Sequence, residues 1–209
     1  MKKVERKIEK INGDTMSGVF SRNVKQSMIK LQNEKKQFVI IDKVDEVINA
    51  IDLDGFLNVY GDATTDEVLI KAGIERAAHL ITALPSDADN LFVVLSARQL
   101  NTNCTIISRA SNESSYGKLK IAGANNVIMP DKLGGDHMAS LVVTPDVIEF
   151  VGRLTIEGET TANLEEISVN DLPKEYLDKT ILDLDLRRKT GCTVIGFKAP
   201  DNSYLINPE

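Results

Sequence analysis

Several residue types are scarce in this sequence, and each scarcity excludes a class of protein. It contains no Trp, and only four Tyr and six Phe among 209 residues, so a core must be built mainly from Ile, Leu and Val. The two Cys and two His have no partners at CxxC or ligand spacing, which argues against a zinc site or a disulfide framework. No apolar run is long enough to span a membrane.

The charge balance is acidic. The 25 Lys and Arg are outnumbered by 31 Asp and Glu, and the formal net charge is −6. A negative surface repels phosphate backbones, so we predict that nucleic acid is not a partner. The chain starts with Lys-rich sequence and shows no signal peptide. We therefore expect a cytosolic protein whose two cysteines, Cys104 and Cys192, are reduced and buried, each in a strand.

Short apolar runs recur between residues 38 and 130, and polar or turn-forming residues follow each of them. They carry β-branched residues and are too short for buried helices, so they predict covered strands. Helical patterns lie between them, and strands that alternate with helices form βαβ units. The predicted fold class is therefore α/β, with a Rossmann-like, doubly wound parallel sheet. The predicted strands are 38–42, 56–60, 79–83, 104–108 and 126–129, after a weaker one at 15–18.

Both ends of the predicted helices carry end signals. Thr64 to Glu67 has the form of a capping box, and Ser86 precedes a second helix with acids in its first turn. Two helices end in Ala-Gly, at Gly73 and Gly123, where glycine can take the left-handed conformation. A strand follows each of these glycines, so helix, Ala-Gly and strand form a weak internal repeat.

The first βα turn lacks the glycines of a dinucleotide-binding loop. The three glycine positions of GxGxxG fall on Val19, Ser21 and Val24. Valine is a poor occupant of a position that needs positive φ, and its methyl groups fill space that a pyrophosphate needs. Asp42 nevertheless closes the next strand roughly 20 residues on, where a ribose-binding acid is expected. The sequence therefore argues against the usual NAD site and leaves weaker or different ligand binding, or none, open.

The segments outside the sheet predict further parts. Residues 1–12 form a short amphipathic linker helix. Residues 131–158 form crossover helices with a break at Pro145, and we predict that they pack on a second copy of the chain. A polar linker at 155–163 leads into a small α+β subdomain. Its predicted elements are strands 164–169, 192–197 and 203–206 and a short helix within 180–188.

With these motifs in order, the chain resembles one family over nearly its whole length. This family is the regulator-of-potassium-conductance (RCK) domains, also called TrkA/KTN domains, of prokaryotic potassium channels and transporters. Each motif alone is unspecific, whereas their order is specific. The motifs that carry the resemblance are Phe38–Asp42, 61–64, 72–76, 83–90, 108–111, 122–124 and 133–135, followed by 185–191 and 206–208.

The resemblance implies a regulatory domain and not an enzyme, in the cytoplasm at the inner face of the cell membrane. The resemblance implies that the chain forms a homodimer and that such dimers assemble into an eight-membered ring. Ligand binding biases the shape of the ring, which controls potassium flow through a pore-forming membrane domain. The implied domains are an RCK-N (TrkA-N) core at 13–130 and an RCK-C (TrkA-C) subdomain at 159–209. Relatives continue with further strands after this point, so the RCK-C part is expected to be incomplete.

The resemblance also implies candidate ligand contacts, with an adenine nucleotide as the remaining cofactor candidate. The residues that match the nucleotide contacts of the family are Arg22, Asn23, Asp42, Asp62 and Arg109. Calcium-gated relatives have carboxylates where this chain has Ala83, Arg109 and Ser111, so we do not expect their calcium site. We predict no catalytic residue and no metal ligand.

Three alternatives to a channel gating domain stay open at this point. The first is a regulatory subunit of a Trk/Ktr-type potassium transporter. The second is a ring member that has lost ligand sensing and serves as a scaffold, for which the glycine-poor loop is the argument. The third is an NAD-dependent oxidoreductase, which rests on the fold alone, because no catalytic pair of side chains is evident.

Overall fold

The computed structural model describes residues 16–19, 25–155, 166–177, 179–201 and 203–206. The chain divides into two compact units, Met1–Pro145 and Asp146–Glu209, called the N-terminal and C-terminal units below. This division falls within the predicted crossover segment 131–158. Within the described ranges, no helix is both long enough and apolar enough to cross a membrane. The predicted linker helix at 1–12 and most of the linker at 155–163 lie outside the described residues.

Strands and helices alternate along the N-terminal unit, as predicted. The strands are β1 (Met16–Val19), β2 (Phe38–Asp42), β3 (Leu57–Tyr60), β4 (His79–Thr82), β5 (Thr105–Arg109) and β6 (Asn126–Ile128). The helices are α1 (Lys25–Asn33), α2 (Asp45–Leu53), α3 (Asp66–Lys71), α4 (Asp87–Leu100), α5 (Glu113–Ile121) and α6 (Pro130–Val143), followed at the boundary by α7 (Pro145–Thr155).

The six strands form one parallel sheet in the order β3-β2-β1-β4-β5-β6. Met16 of β1 lies opposite both Phe38 of β2 and His79 of β4, so β1 sits at the centre of the sheet. The chain runs outward from β1 in one direction to β3, and then returns to build the other half from β4 to β6. This strand order is that of the Rossmann fold, and it confirms the predicted doubly wound architecture.

Successive side chains of a strand point to opposite faces of the sheet, and in β2 the side chains on both faces are buried. In β2, Val39 and Ile41 join the larger core cluster, together with Leu80 of β4 and Ile106 of β5. Phe38 and Ile40, which alternate with them, join a second cluster on the other face. The continuous apolar composition of the runs that predicted these strands reflects this burial on both sides.

The glycine signals at the helix ends are confirmed. Gly73 and Gly123 have φ angles of 87° and 108°, in the left-handed region that favours glycine. The side chain of Ser86 caps α4 by accepting a hydrogen bond from the N–H of Asp89. The capping box predicted at Thr64 is wrong. The residue before α3 is Thr65, whose side chain makes no cap hydrogen bond, and the hydroxyl of Thr64 donates to Asp62 instead.

The predicted break at Pro145 is confirmed: α6 ends at Val143, and α7 begins at the proline. Within the N-terminal unit, α6 leaves large apolar side chains in contact with solvent, among them Leu133, Met138 and Val142. Within the C-terminal unit, α7 does the same with Val147 and Phe150. Each helix therefore has apolar surface that its own unit leaves uncovered.

The C-terminal unit agrees less well with the prediction. Two short helices, α8 (Ile181–Leu184) and α9 (Leu186–Thr190), occupy the predicted helical segment, and a hairpin pairs β7 (Gly196–Lys198) with β8 (Tyr204–Ile206). The strand predicted at 164–169 is wrong over its described part, since 166–168 are irregular and Val169–Asp171 is a 3-10 turn. The strand predicted at 192–197 is wrong before Gly196.

The two cysteines lie in different surroundings. Cys104 directly precedes β5 and is buried, and this burial raises the pKa of its thiol to about 11, so the thiol is protonated and inert. Cys192 is exposed, which contradicts the prediction of a buried thiol in a strand, because the chain around it is irregular. Both thiols are free.

Candidate functional site

The three sequence-predicted residues that the structure describes, Asp42, Asp62 and Arg109, lie along the carboxyl edge of the parallel sheet. The strand order reverses at β1, whose neighbours are β2 and β4, and ligands of open α/β sheets bind in the crevice outside the strand ends at such a point. Asp42 ends β2, Arg109 ends β5, and Asp62 follows β3 by two residues. Val19 ends β1. The remaining loop positions Ser21, Arg22, Asn23 and Val24 lie outside the described residues.

Asp42 is half-buried and held by its own turn. Its Oδ1 accepts a hydrogen bond of 2.9 Å from the N–H of Val44. Its backbone carbonyl accepts a second one, also of 2.9 Å, from the N–H of Gly61, which connects the ends of β2 and β3. The carboxylate therefore has a fixed position beside the crevice, as a ribose-binding acid requires.

Asp62 organises the turn that follows β3. Its Oδ1 accepts hydrogen bonds from the N–H and the hydroxyl of Thr64, at 3.0 and 2.8 Å, and its Oδ2 lies 3.0 Å from the Nζ of Lys43. The bonds from Thr64, and secondarily the bond from Lys43, lower the pKa of Asp62. The ion pair with Lys43 is open to solvent, so its contribution to stability is small. The carboxylate of Asp62 is thus engaged within the protein.

Arg109 has a guanidinium that is only partly satisfied. Its Nη1 lies 3.5 Å from the carbonyl oxygen of Leu84, at the limit of a hydrogen bond. Its Nε is buried and is the one buried side-chain nitrogen or oxygen in the described part of the chain that has no hydrogen-bond partner. Buried polar groups are normally paired. The guanidinium therefore keeps a donor that the described part of the protein does not pair.

The structure brings two of the three described candidates together. Asp42 and Asp62 are neighbours through Gly61 and Lys43. Arg109 lies on the other side of the crevice, because β1 and β4 stand between β2 and β5. Three strand spacings separate its strand from that of Asp42, which is roughly 14 Å. This span suits an extended ligand with a ribose at one end and an anionic group at the other.

Sequence reasoning missed Asn90, which is fully buried at the start of α4. Its Oδ1 accepts hydrogen bonds from the hydroxyl of Thr82 and the N–H of Leu84, at 2.7 and 2.9 Å. Its Nδ2 donates to the carbonyl oxygens of Leu84 and Arg109, at 2.9 and 3.3 Å. A signal was available, since Asn90 shares the helical spacing of the buried residues Val93, Val94 and Ala97. A polar residue at that position must satisfy its amide inside the core.

Asp87 ties the loop after β4 to the loop after β5. One carboxylate oxygen accepts the N–H of Ser111 at 2.8 Å, and the other accepts the N–H of Asn112 at 3.2 Å. Burial raises the pKa of Asp87, but hydrogen bonds from Ser115, Ser111 and Asn112 outweigh this effect and lower it overall. The charged form is therefore the one that the fold stabilises.

Replacing Asp87 by Asn is expected to make stability less dependent on acidic pH. Because the pKa of Asp87 is lower in the folded state, its carboxylate stabilises the fold above its ordinary pKa of 3.8, and this contribution disappears as the pH falls through the lowered value. The difference in free energy of unfolding between wild type and Asp87→Asn should be complete above the ordinary pKa of 3.8 and should shrink as the pH falls below it. Urea denaturation at several pH values measures it, with exposed Asp131→Asn as the control for the loss of one charge. A constant difference would contradict the assignment.

The described residues contain no cluster of three or more His, Cys, Asp or Glu that could hold a metal ion. Ala83 directly follows β4, and Ser111 lies two residues after the end of β5. Ser111 uses its N–H to hold Asp87. The charged groups at this edge include the carboxylates of Asp42, Asp62 and Asp87 and the partly paired guanidinium of Arg109.

Comparisons with known proteins agree with this geometry. The TrkA-N domain profile matches residues 18–130. The chain is 35% identical, over its full length, to the "Probable potassium channel protein 2" of Methanocaldococcus jannaschii, and it spans 62% of the length of that relative.

Two solved structures are also similar to the chain. The crystal structure of the GsuK RCK domain is 25% identical, with a TM-score of 0.57 over 94% of this chain and 40% of that one. The GsuK channel bound to NAD is 27% identical, with a TM-score of 0.50 over 58% of this chain and 22% of that one. Because the profile match covers more than half of the sequence and the matching strands form the Rossmann-like sheet, the chain belongs to the TrkA-N domain family.

Proposed function

We propose that this chain is the cytosolic gating domain of a potassium channel, which controls ion flow without catalysing a reaction. The observation that carries the proposal is its similarity over the full length of the chain to a potassium channel protein. The remaining part of that relative would supply the pore. The site is compatible with a regulatory role: the side chains of Asp62, Asp87 and Asn90 form hydrogen bonds to backbone atoms and so hold loops in place.

The proposed ligand is an adenine nucleotide in the crevice at the carboxyl edge. Asp42 would accept hydrogen bonds from the ribose, and Arg109 would bind a phosphate through its guanidinium. Arg22 and Asn23 are assigned to the same ligand from the sequence motif alone. Asp62 would act indirectly, by holding Lys43 at the edge of the crevice. The GsuK channel, which binds NAD, has the same kind of fold in this region.

A ligand-insensitive scaffold is the second candidate, and the substituted loop favours it. Val19, Ser21 and Val24 stand where a nucleotide loop has glycine. Such a domain would still join the ring and transmit changes from neighbouring domains, but it would not sense a nucleotide itself.

A thermal-shift screen with NAD, NADH, ATP, ADP, AMP, Ca²⁺ and Mg²⁺ separates these two candidates. A ligand that binds only the folded state raises stability by RT ln(1 + [L]/Kd), which is about 2.7 kcal/mol at a hundredfold excess over Kd. We expect at least one adenine nucleotide to raise the melting temperature, and the substitution Asp42→Asn to reduce that shift. If no nucleotide shifts the melting temperature, the proposal of a nucleotide sensor is wrong and the chain acts as a ligand-insensitive scaffold.

The proposed assembly is a homodimer formed by the crossover helices at 131–158, within a ring that reaches eight members. The exposed apolar residues Met138 and Val142 lie one helical turn apart on α6, as an interface stripe would. We assign 13–130 to the RCK-N core, 159–209 to an incomplete RCK-C subdomain and 1–12 to the linker toward the pore. The likeness of the chain to the GsuK RCK domain over 94% of its length supports this division.

The double substitution Met138→Glu and Val142→Glu is expected to convert the dimer into a monomer. Two carboxylates in an apolar interface lose hydration without a partner, which disfavours association. Light scattering at high micromolar concentration measures the mass. Leu53→Glu, at an equally apolar and 89% exposed position on α2, is the matched control and should leave the dimer intact. A wild-type chain that is monomeric under these conditions would overturn the proposed gating assembly.

A further inference from the structure

Two carbonyl groups determine where the guanidinium of Arg109 lies. One is its own carbonyl, at the end of β5, and the other is that of Leu84, in the loop after β4, to which its Nη1 is directed. The Nδ2 of Asn90 donates to both, at 3.3 Å and 2.9 Å. One buried amide therefore fixes the backbone of Arg109 and also the acceptor toward which its side chain points.

The rest of the guanidinium is only weakly restrained. The contact of 3.5 Å to Leu84 is long, and the buried Nε has no partner among the described residues. An arginine whose guanidinium makes only one long hydrogen bond among the described residues keeps Nη hydrogens available for an anion. The direction of the Arg109 guanidinium then depends on the ends of β4 and β5, which Asn90 joins.

We propose that Asn90 is a positioning residue for anion recognition: it holds the ends of β4 and β5 so that Arg109 faces the phosphate group of a bound adenine nucleotide. The inference rests on the proposed nucleotide site. The two polar atoms of the Asn90 side chain then have different roles. The acceptor Oδ1, bound to Thr82 and Leu84, anchors α4 to the end of β4, whereas the donor Nδ2 sets the position of Arg109.

This division makes Asn90→Asp and Thr82→Val a matched pair. Asn90→Asp preserves the shape and the acceptor oxygen, but it presents an oxygen to the two carbonyl groups that received the Nδ2 hydrogens. Thr82→Val preserves shape and removes one bond from the acceptor side only. Asn90→Asp loses the two hydrogen bonds of Nδ2 and Thr82→Val loses one, so a general loss of stability affects both. Only Asn90→Asp disturbs the carbonyl of Arg109.

The experiment compares the affinities of the whole chain for AMP and for adenosine, which lacks the phosphate. In wild type we expect AMP to bind at least tenfold more tightly than adenosine. Asn90→Asp and Arg109→Lys should each reduce this ratio by about tenfold, while Thr82→Val leaves it within about twofold. A ratio that is unchanged in Asn90→Asp but reduced in Arg109→Lys would overturn the positioning role and keep the nucleotide site. Wild type that binds neither compound would overturn the nucleotide site itself and the inference with it.

A second measurement needs no variant, in case Asn90→Asp does not fold. Nuclear magnetic resonance of the ¹⁵N-labelled wild-type chain follows the Nε–H of Arg109 and the Nδ2 hydrogens of Asn90 during titration. Saturating AMP should shift both sets of signals, and saturating adenosine should shift neither, because only the phosphate reaches Arg109. If the Arg109 signal shifts with AMP while the Asn90 amide does not respond, the coupling between the two residues is absent and the proposal is wrong.

Discussion

Replacing Arg98 by Ala is expected to lower the free energy of unfolding of the N-terminal unit by about 2–3 kcal/mol, a large fraction of the stability of an ordinary domain. Arg98 lies in the last turn of α4. Its Nη1 donates to the carbonyl of Thr102 at 2.6 Å, and its Nη2 donates to the carbonyl of Gly123 and to the Oδ1 of Asn125, at 2.8 and 2.9 Å. One side chain thus joins the end of α4 to the segment between α5 and β6.

The same bonds connect Arg98 to the sheet. The Oδ1 of Asn125 also accepts the N–H of Ile106 in β5, at 2.7 Å. Hydrogen bonds to a charged donor contribute more than neutral ones, but part of this network is open to water, which limits the loss. Gly123 has a φ of 108° and leaves room for Arg98, since a Cβ there would come within 3.0 Å of the Nε. The arginine and the glycine therefore act as a pair.

Urea denaturation measures the loss, and hydrogen exchange at the N–H of Ile106 locates it. Lys118→Ala, an exposed basic residue in the last turn of α5, is the control and should change the free energy of unfolding by less than about 0.5 kcal/mol. Arg98→Lys should fall between the control and Arg98→Ala, because one ammonium cannot reach all three acceptors. A loss below about 1 kcal/mol for Arg98→Ala, or unchanged exchange at Ile106, would show that the network contributes little.

The strands of the N-terminal unit could be predicted because burial on both faces leaves a continuous β-branched run in the sequence. Runs such as Phe38–Asp42 have few other interpretations. In the C-terminal unit a similar run predicted a strand that includes 192–195, and this prediction was wrong. A strand needs a hydrogen-bonded neighbour, and in the described part of the hairpin only Gly196–Lys198 has one, in Tyr204–Ile206. Apolar composition alone could not locate the partner.

The candidate site was predictable to a similar extent. Its place at a strand end made Asp42 a candidate, whereas Arg109 was a candidate only through the resemblance to the RCK family; the structure places both at strand ends. The engagement of Asp62 with Thr64 was hidden, because a Thr-Thr-Asp-Glu run also fits a capping box and only the turn geometry decides which threonine begins the helix. The role of Asn90 was hidden for another reason: its partners lie up to 19 residues away, and helical spacing shows the face of a residue but not its partners.

The largest gain of function is expected from restoring the loop glycines with Val19→Gly, Ser21→Gly and Val24→Gly together. The three changes remove the β-carbons that exclude a pyrophosphate and permit the tight turn that the loop needs. If the remaining site is intact, the affinity for ADP should rise by at least about tenfold, which is 1.4 kcal/mol. Titration calorimetry is the suitable measurement, because added glycines lower stability by roughly 0.5–1 kcal/mol each and would obscure a thermal shift.

The substitution Asp42→Asn in the glycine-restored chain distinguishes a rebuilt site from non-specific binding. Asp42 is fixed beside the crevice by the N–H of Val44 and by its carbonyl bond to Gly61, so its carboxylate should become the main ribose contact once the loop admits the ligand. The added substitution should therefore cancel most of the gain, because the amide replaces one charged acceptor with a donor. No gain with the three glycines alone would mean that the crevice differs elsewhere, and it would favour the scaffold over the nucleotide sensor.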